Sequence, residues 1–77
     1  LVKNETEVLL ADGEIVRPDR VVMSNNEMVI IDYKTGEKEK KHIAQINGYK
    51  QAFYQLGYQT VKGILVYLGD KVEWIEI

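Results

Sequence analysis

The stretch Glu27 to Lys34, EMVIIDYK, restricts the fold more than any other part of the sequence. Its apolar residues stand at consecutive positions, so a strand built from them is apolar on both faces. That is the pattern of a central strand, with neighbours at both edges and cover over its surface. Only its end carries charge, at Asp32 and Lys34. Such a strand obliges the rest of the chain to supply flanking strands and a covering layer, and the remaining residues are spaced to do so. Glu7 to Ala11 is a β-prone run closed by Asp12-Gly13, a two-residue hairpin signal. Glu14 to Met23 reads as a second strand. Pro18 lies inside it and cannot donate to a ladder, which marks an edge or a bulge. Ser24-Asn25-Asn26 is the turn into the central strand. Thr35-Gly36 breaks that strand, and the charged run Glu37 to Lys41 leads into a helix of roughly His42 to Leu56, with Gly57 at its C-terminal cap. Val61 to Leu68 is a fourth strand, Gly69-Asp70 a turn, and Lys71 to Ile77 a fifth strand. The expected fold is α+β, a mixed sheet in the order β-β-β-α-β-β with one helix packed on one face. A helix between two strands implies a right-handed crossover joining parallel neighbours.

The hairpin register carries the chemistry. With Asn25-Asn26 as the two central residues, Ser24 faces Glu27, and equal steps outward set Val21 against Ile30 and Asp19 against Asp32. Directly opposed side chains in an antiparallel pair have Cβ atoms about 4.5–5.5 Å apart. Carboxylates that close repel each other unless a proton or a cation lies between them. Lys34, two residues beyond Asp32, projects from the same face, and Arg17 would sit opposite it. Surface charges on a solvated sheet face are the plainer explanation. Against it, the same face carries Val21, Met28 and Ile30, which the helix should cover. A buried acid needs a compensating partner, and a divalent cation held by oxygen ligands is a natural one.

The helix has an apolar stripe of Ile46, Tyr49, Ala52, Phe53 and Leu56, and His42 and Gln45 fall on the same stripe at its N-terminal end. The core-facing side therefore turns polar over its first turn, nearest Lys34, and buried polar groups need partners. His42 reads first as an exposed helix-start residue. Lys38, Lys40 and Lys41 can meet a phosphate backbone, although the interleaved Glu37 and Glu39 make a solvated charged loop the simpler reading. Phe53 and Trp74 are expected in the core. Glu5, Glu7 and Glu14 are further acids.

At 77 residues the chain is one small domain with a marginal core. There is no cysteine, which excludes disulfides and thiolate metal sites. No apolar run approaches the roughly 20 residues that span a bilayer. No signal-peptide pattern opens these residues. The expected location is the cytoplasm, with no membrane partner. Leu1 to Thr6 reads like the middle of something, so residues 1–77 are expected to be a truncated domain of a larger protein. A sheet with uncovered apolar surface can also pair with a second copy. The net charge of −2 does not advertise a strong stand-alone DNA binder, because sequence-independent binding rests on many Lys and Arg contacts to phosphate.

Pro18-Asp19, twelve intervening residues and Asp32-Tyr33-Lys34 resemble the signature of the PD-(D/E)XK nuclease superfamily. RPDRVV (Arg17 to Val22), IIDYKTG (Ile30 to Gly36) and the pair Gln45-x-x-x-Tyr49 are similar to the RecB-like nuclease module that closes many recombination exonucleases and UvrD/Rep-type helicases. The resemblance runs from about Glu5 to the C-terminus. It implies metal-dependent DNA phosphodiester hydrolysis in repair or recombination, with helicase domains elsewhere in the same parent chain. By that resemblance Asp19, Asp32 and Lys34 are catalytic. Asp19, Asp32 and the backbone carbonyl of Tyr33 bind Mg²⁺ or Mn²⁺. Gln45 and Tyr49, with His42 and Arg17, contact DNA or support the site. Relatives usually start with a helix before the first strand, often with a metal-binding His, which these residues do not include. The glycine usual in relatives just before their Ile-Asp-Arg string is replaced here by Val16-Arg17-Pro18. Two other readings compete: a catalytically silent DNA-binding or scaffolding module, and a small mixed-sheet interaction domain whose motifs are coincidental.

Overall fold

Strand β5 (Glu27–Thr35) runs through the middle of the sheet, as its double-sided apolar pattern requires. The computed structural model describes residues 2–4, 7–9, 15–25 and 27–77. Along the chain these form β1 (Val2–Asn4), β2 (Val8–Leu9), β3 (Ile15–Val16), β4 (Arg20–Ser24), β5, the helix α1 (Lys40–Gln55), β6 (Thr60–Leu68) and β7 (Glu73–Glu76). Five strands make one mixed sheet in the order β1-β4-β5-β6-β7, and β2 and β3 pair separately. Among the described residues only β5 and β6 are parallel, joined through α1, and the other strand pairs are antiparallel. The α+β class and, among the described residues, the single covering helix are as the sequence implies.

The β4–β5 hairpin has the expected register, with Ser24 opposite Glu27 and Val21 opposite Ile30. Asn25 has φ +39°, the left-handed conformation that a tight hairpin turn demands and that Asn tolerates. The expected strand Glu14 to Met23 is instead two strands, β3 and β4, parted at Arg17-Pro18-Asp19. Proline offers no N–H at this point, and its side chain is fully buried. Strand β1 was not foreseen; it pairs with β4, Val2 opposite Val22. The proposed Asp12-Gly13 turn and the acids Glu5 and Glu14 lie outside the described residues.

Alternation along β5 and β6 places Met28, Ile30, Val61 and Leu65 on one face, where Ile46, Tyr49 and Phe53 of α1 cover them. Gly63 lies in the middle of β6 under the helix. A Cβ there would stand 2.2 Å from Ile46 Cγ2, so only glycine lets the helix approach this closely. Helix α1 begins at Lys40, two residues earlier than expected, after Glu39 in an extended conformation. It ends in a Schellman motif: Gly57 takes φ +102°, its N–H donates to the Tyr54 carbonyl, and the Tyr58 N–H donates to the Phe53 carbonyl. The Tyr58 ring packs edge-on against Phe53, the apolar contact that accompanies such caps. Leu56, expected on the buried stripe, lies at the cap and is 49% exposed. Trp74, expected in the core, is 67% exposed, because β7 is an edge strand and Trp74 pairs with Val66 on the face away from α1. Among the described residues no helix is long and apolar enough to cross a membrane.

Candidate active site

The interruption at Pro18 shapes the site. The β4–β5 ladder stops at Arg20 opposite Ile31, so Asp19 is not a ladder partner of Asp32 as the register extrapolates. The two residues nonetheless meet, through a reciprocal exchange that takes the place of the ladder. The Asp19 backbone N–H donates to Asp32 Oδ1 at 2.9 Å, and the Tyr33 N–H donates to Asp19 Oδ2 at 2.9 Å. An amide that would otherwise bond a strand carbonyl is thereby spent on a carboxylate. Each aspartate is fixed by one oxygen. An extended residue directs its N–H and C=O to the same edge, so the Tyr33 carbonyl faces this gap as well.

Asp32 is 2% exposed, on the helix-covered face, whereas Asp19 is exposed at the rim. Burial raises the pKa of Asp32 above the ordinary value, and the charge and side-chain hydrogen bonding of Asp19 push the same way. The Asp19 N–H and the Lys34 ammonium oppose the rise. Lys34 Nζ lies 3.7 Å from Asp32 Oδ2. A buried carboxylate beside a second one, with a single ammonium to compensate both, is a natural place for a cation. The donors on hand are all oxygens, which suits a hard divalent ion. Among the described residues no group of three His, Cys, Asp or Glu side chains gathers. The protein oxygen donors at this gap are the two aspartates and the Tyr33 carbonyl.

The first turns of α1 support Lys34. Lys34 Nζ donates to Gln45 Oε1 at 2.6 Å, Gln45 Nε2 donates to Tyr49 Oη at 3.0 Å, and Tyr49 Oη donates to the Arg17 carbonyl at 3.4 Å. The donors all point one way along this series, which fixes the Gln45 amide. It also ties the helix to the break before Asp19. Burial raises the Tyr49 pKa, with the charges of Asp32 and Asp19 adding to the effect, so the phenol keeps its proton and its donor role.

The other two supporting residues sit differently from expectation. Arg17 does not face Lys34; its guanidinium is exposed and pairs with Glu7, and only its carbonyl enters the network. His42 is buried rather than exposed, at 7%. Its Nδ1 lies 3.0 Å from Tyr67 Oη and its Nε2 lies 3.4 Å from Glu39 Oε2. Nothing in the sequence singled out Tyr67 or Glu39 for this role. The signal that would have found Tyr67 is the parallel register, which sets Tyr67 beside Lys34. That register has no tight turn to fix it and so is not countable from the sequence.

This fold, with the aspartate pair and its lysine, defines a class. A family model for the PD-(D/E)XK nuclease superfamily matches residues 9–71, and the chain belongs to that superfamily. The crystal structure of SSO0001 is similar, with a TM-score of 0.69 and 27% sequence identity over 99% of this chain. This chain spans only 41% of SSO0001. No curated protein matches the chain.

Proposed function

We propose that this chain is the nuclease module of a larger DNA-processing protein and hydrolyses DNA phosphodiester bonds with Mg²⁺ or Mn²⁺. Membership of the superfamily supports a metal-dependent nuclease. The observation that carries the reading further is the reciprocal bonding of Asp19 and Asp32, with Lys34 Nζ 3.7 Å from the Asp32 carboxylate. Asp19, Asp32 and the Tyr33 carbonyl are the groups that would hold the cation. When bound, such an ion polarises a phosphoryl oxygen and lowers the pKa of an attached water. Lys34 supplies positive charge where the attacked phosphate gains negative charge. Gln45 and Tyr49 hold that ammonium in place, so catalysis does not have to pay for ordering a flexible lysine.

The parent would be a RecB-like exonuclease or a UvrD/Rep-type helicase acting in repair or recombination, where DNA meets a motor and a nuclease in the cytoplasm. The motif strings RPDRVV, IIDYKTG and Gln45-x-x-x-Tyr49 support that context.

The test is cleavage of a labelled DNA by the chain and by its full-length parent, with Mg²⁺, with Mn²⁺ and with chelator. Metal-dependent cleavage that disappears in Asp32→Ala and Lys34→Ala is the expected result. DNA binding without any metal-dependent cleavage by the parent would instead identify a silent scaffold.

A further inference from the structure

Beside the aspartate pair, a cleft of about 380 Å³ is lined by Lys34, Lys41, His42 and Gln45. That is room on the order of a dozen waters. Its lining has two ammonium groups, an imidazole and an amide, and no acid. Lys34, whose Nζ lies 3.7 Å from Asp32 Oδ2, lines this cleft as well, so the cleft adjoins the candidate active site.

The lining is already arranged around an anion. Glu39, just before α1, sets one carboxylate oxygen 3.4 Å from His42 Nε2 and 3.7 Å from Lys41 Nζ. A carboxylate only accepts, so the Nε2-protonated tautomer is the one that suits this contact. The Tyr67 hydroxyl, 3.0 Å from Nδ1, holds the ring in that orientation. His42 is built in, with 9% of its side chain exposed, whereas the Glu39 and Lys41 side chains are 53% and 73% exposed. Exposed pairs of this kind contribute little. Glu39 is therefore readily exchanged for another anion, while the His42 donor stays where Tyr67 fixes it.

We propose that this cleft is a phosphate subsite, in which Lys41 and His42 grip the DNA backbone phosphate next to the one being hydrolysed. Glu39 holds the same donors until DNA displaces it. The identity of the neighbouring phosphate rests on the nuclease reading above, but the anion site itself does not. Lys41 acts as a point charge on the phosphate, and His42 Nε2–H gives it direction.

Binding of a fluorescent single-stranded oligonucleotide, measured over a salt series in chelator so that no cleavage intervenes, tests the subsite directly. Lys41→Ala should raise Kd about fivefold and flatten the salt slope by about 0.7, one phosphate's share on a single strand. Glu39→Gln should lower Kd, because the competing charge is gone. Lys71→Ala, an exposed lysine outside this cleft, should leave the slope unchanged. The inference is overturned if Lys41→Ala keeps the original slope, or if Lys71→Ala flattens it equally. Oligonucleotides with and without a 5′-phosphate separate the two sources of phosphate. An equal Lys41→Ala effect on both supports a backbone phosphate, and an effect confined to the phosphorylated one overturns that placement. Loss of the subsite with intact metal-dependent cleavage sinks this inference alone. Absent cleavage with the Lys41 effect intact sinks only the nuclease reading.

Discussion

Gly63→Ala introduces the smallest side chain at the point of closest contact between α1 and the sheet. Its Cβ would lie 2.2 Å from Ile46 Cγ2, whereas carbon atoms in good contact are about 3.5–4.0 Å apart. The helix must retreat by roughly 1.3 Å or Ile46 must leave its rotamer, and overpacking of this kind costs about 1–3 kcal/mol. Small domains have only about 0.05–0.15 kcal/mol of stability per residue, so the loss is a large share of the total. Ile46→Ala alone empties a fully buried position and should cost about 2–5 kcal/mol. In the double variant the offending methyl is gone, and the new Cβ meets the Cβ of residue 46 at 3.7 Å, an ordinary contact. Gly63→Ala should therefore cost almost nothing in the Ile46→Ala background, a coupling of about 1–3 kcal/mol. Urea unfolding of the four proteins measures it. Additivity within about 0.5 kcal/mol would refute the close approach of helix and strand. Lys34 meets Gln45 on this same helix, so Gly63→Ala alone should also weaken cleavage, and Ile46→Ala should not deepen that defect.

Asp32 binds its proton more tightly in the folded protein than in the unfolded chain, where the ordinary value is 3.8. Without metal, stability should fall as pH rises from that value through the raised folded one, and Asp32→Asn should abolish the slope in thermal melts with chelator; an unchanged slope refutes it. Tyr49→Phe removes the hydroxyl between Gln45 and the Arg17 carbonyl, at a cost of about 0.5–1.5 kcal/mol. Metal-dependent cleavage should fall more than this stability loss explains, and a variant with full activity would show that Lys34 needs no brace. Phe53→Ala should cost about 3–5 kcal/mol, whereas Trp74→Ser should cost less than about 0.5 kcal/mol, because Phe53 is 3% exposed and Trp74 67%. Similar unfolding midpoints for the two variants would contradict the exposed placement of Trp74.

The parts of the fold that could be read from the sequence are those fixed by local rules. The register of β4 and β5 follows from a two-residue turn and step counting, and Ser24–Glu27 and Val21–Ile30 pair accordingly. The buried face of α1 follows from periodicity, and Ile46, Tyr49, Ala52 and Phe53 are all buried. Gly57 marks the end of the helix because only a residue tolerant of positive φ closes a Schellman motif well. The failures share a different cause. Trp74 looks like core on hydrophobicity alone, but its exposure depends on the sheet order, which puts β7 at an edge. The environment of His42 depends on Tyr67, brought near by the parallel β5–β6 pairing through a long crossover. No local rule counts residues across such a connection.

Pro18 shows why the candidate site was only half legible. Read as a strand residue, it predicts a flaw in an otherwise continuous β-strand, with Asp19 still facing Asp32 across the ladder. The flaw is in fact what builds the constellation. Continued pairing would commit the Tyr33 amide to the carbonyl of residue 18 and turn the Asp19 amide away from β5, leaving the Asp32 carboxylate buried without that donor. Because the ladder ends at Arg20, the Asp19 N–H turns to Asp32, the Tyr33 N–H turns to Asp19, and the Arg17 carbonyl is left for Tyr49. Side-chain acceptors thus satisfy backbone groups that an unbroken sheet would have satisfied itself. The two acids are held together by the backbone bonds the strand gives up, so the motif needs its proline and its aspartates as one unit.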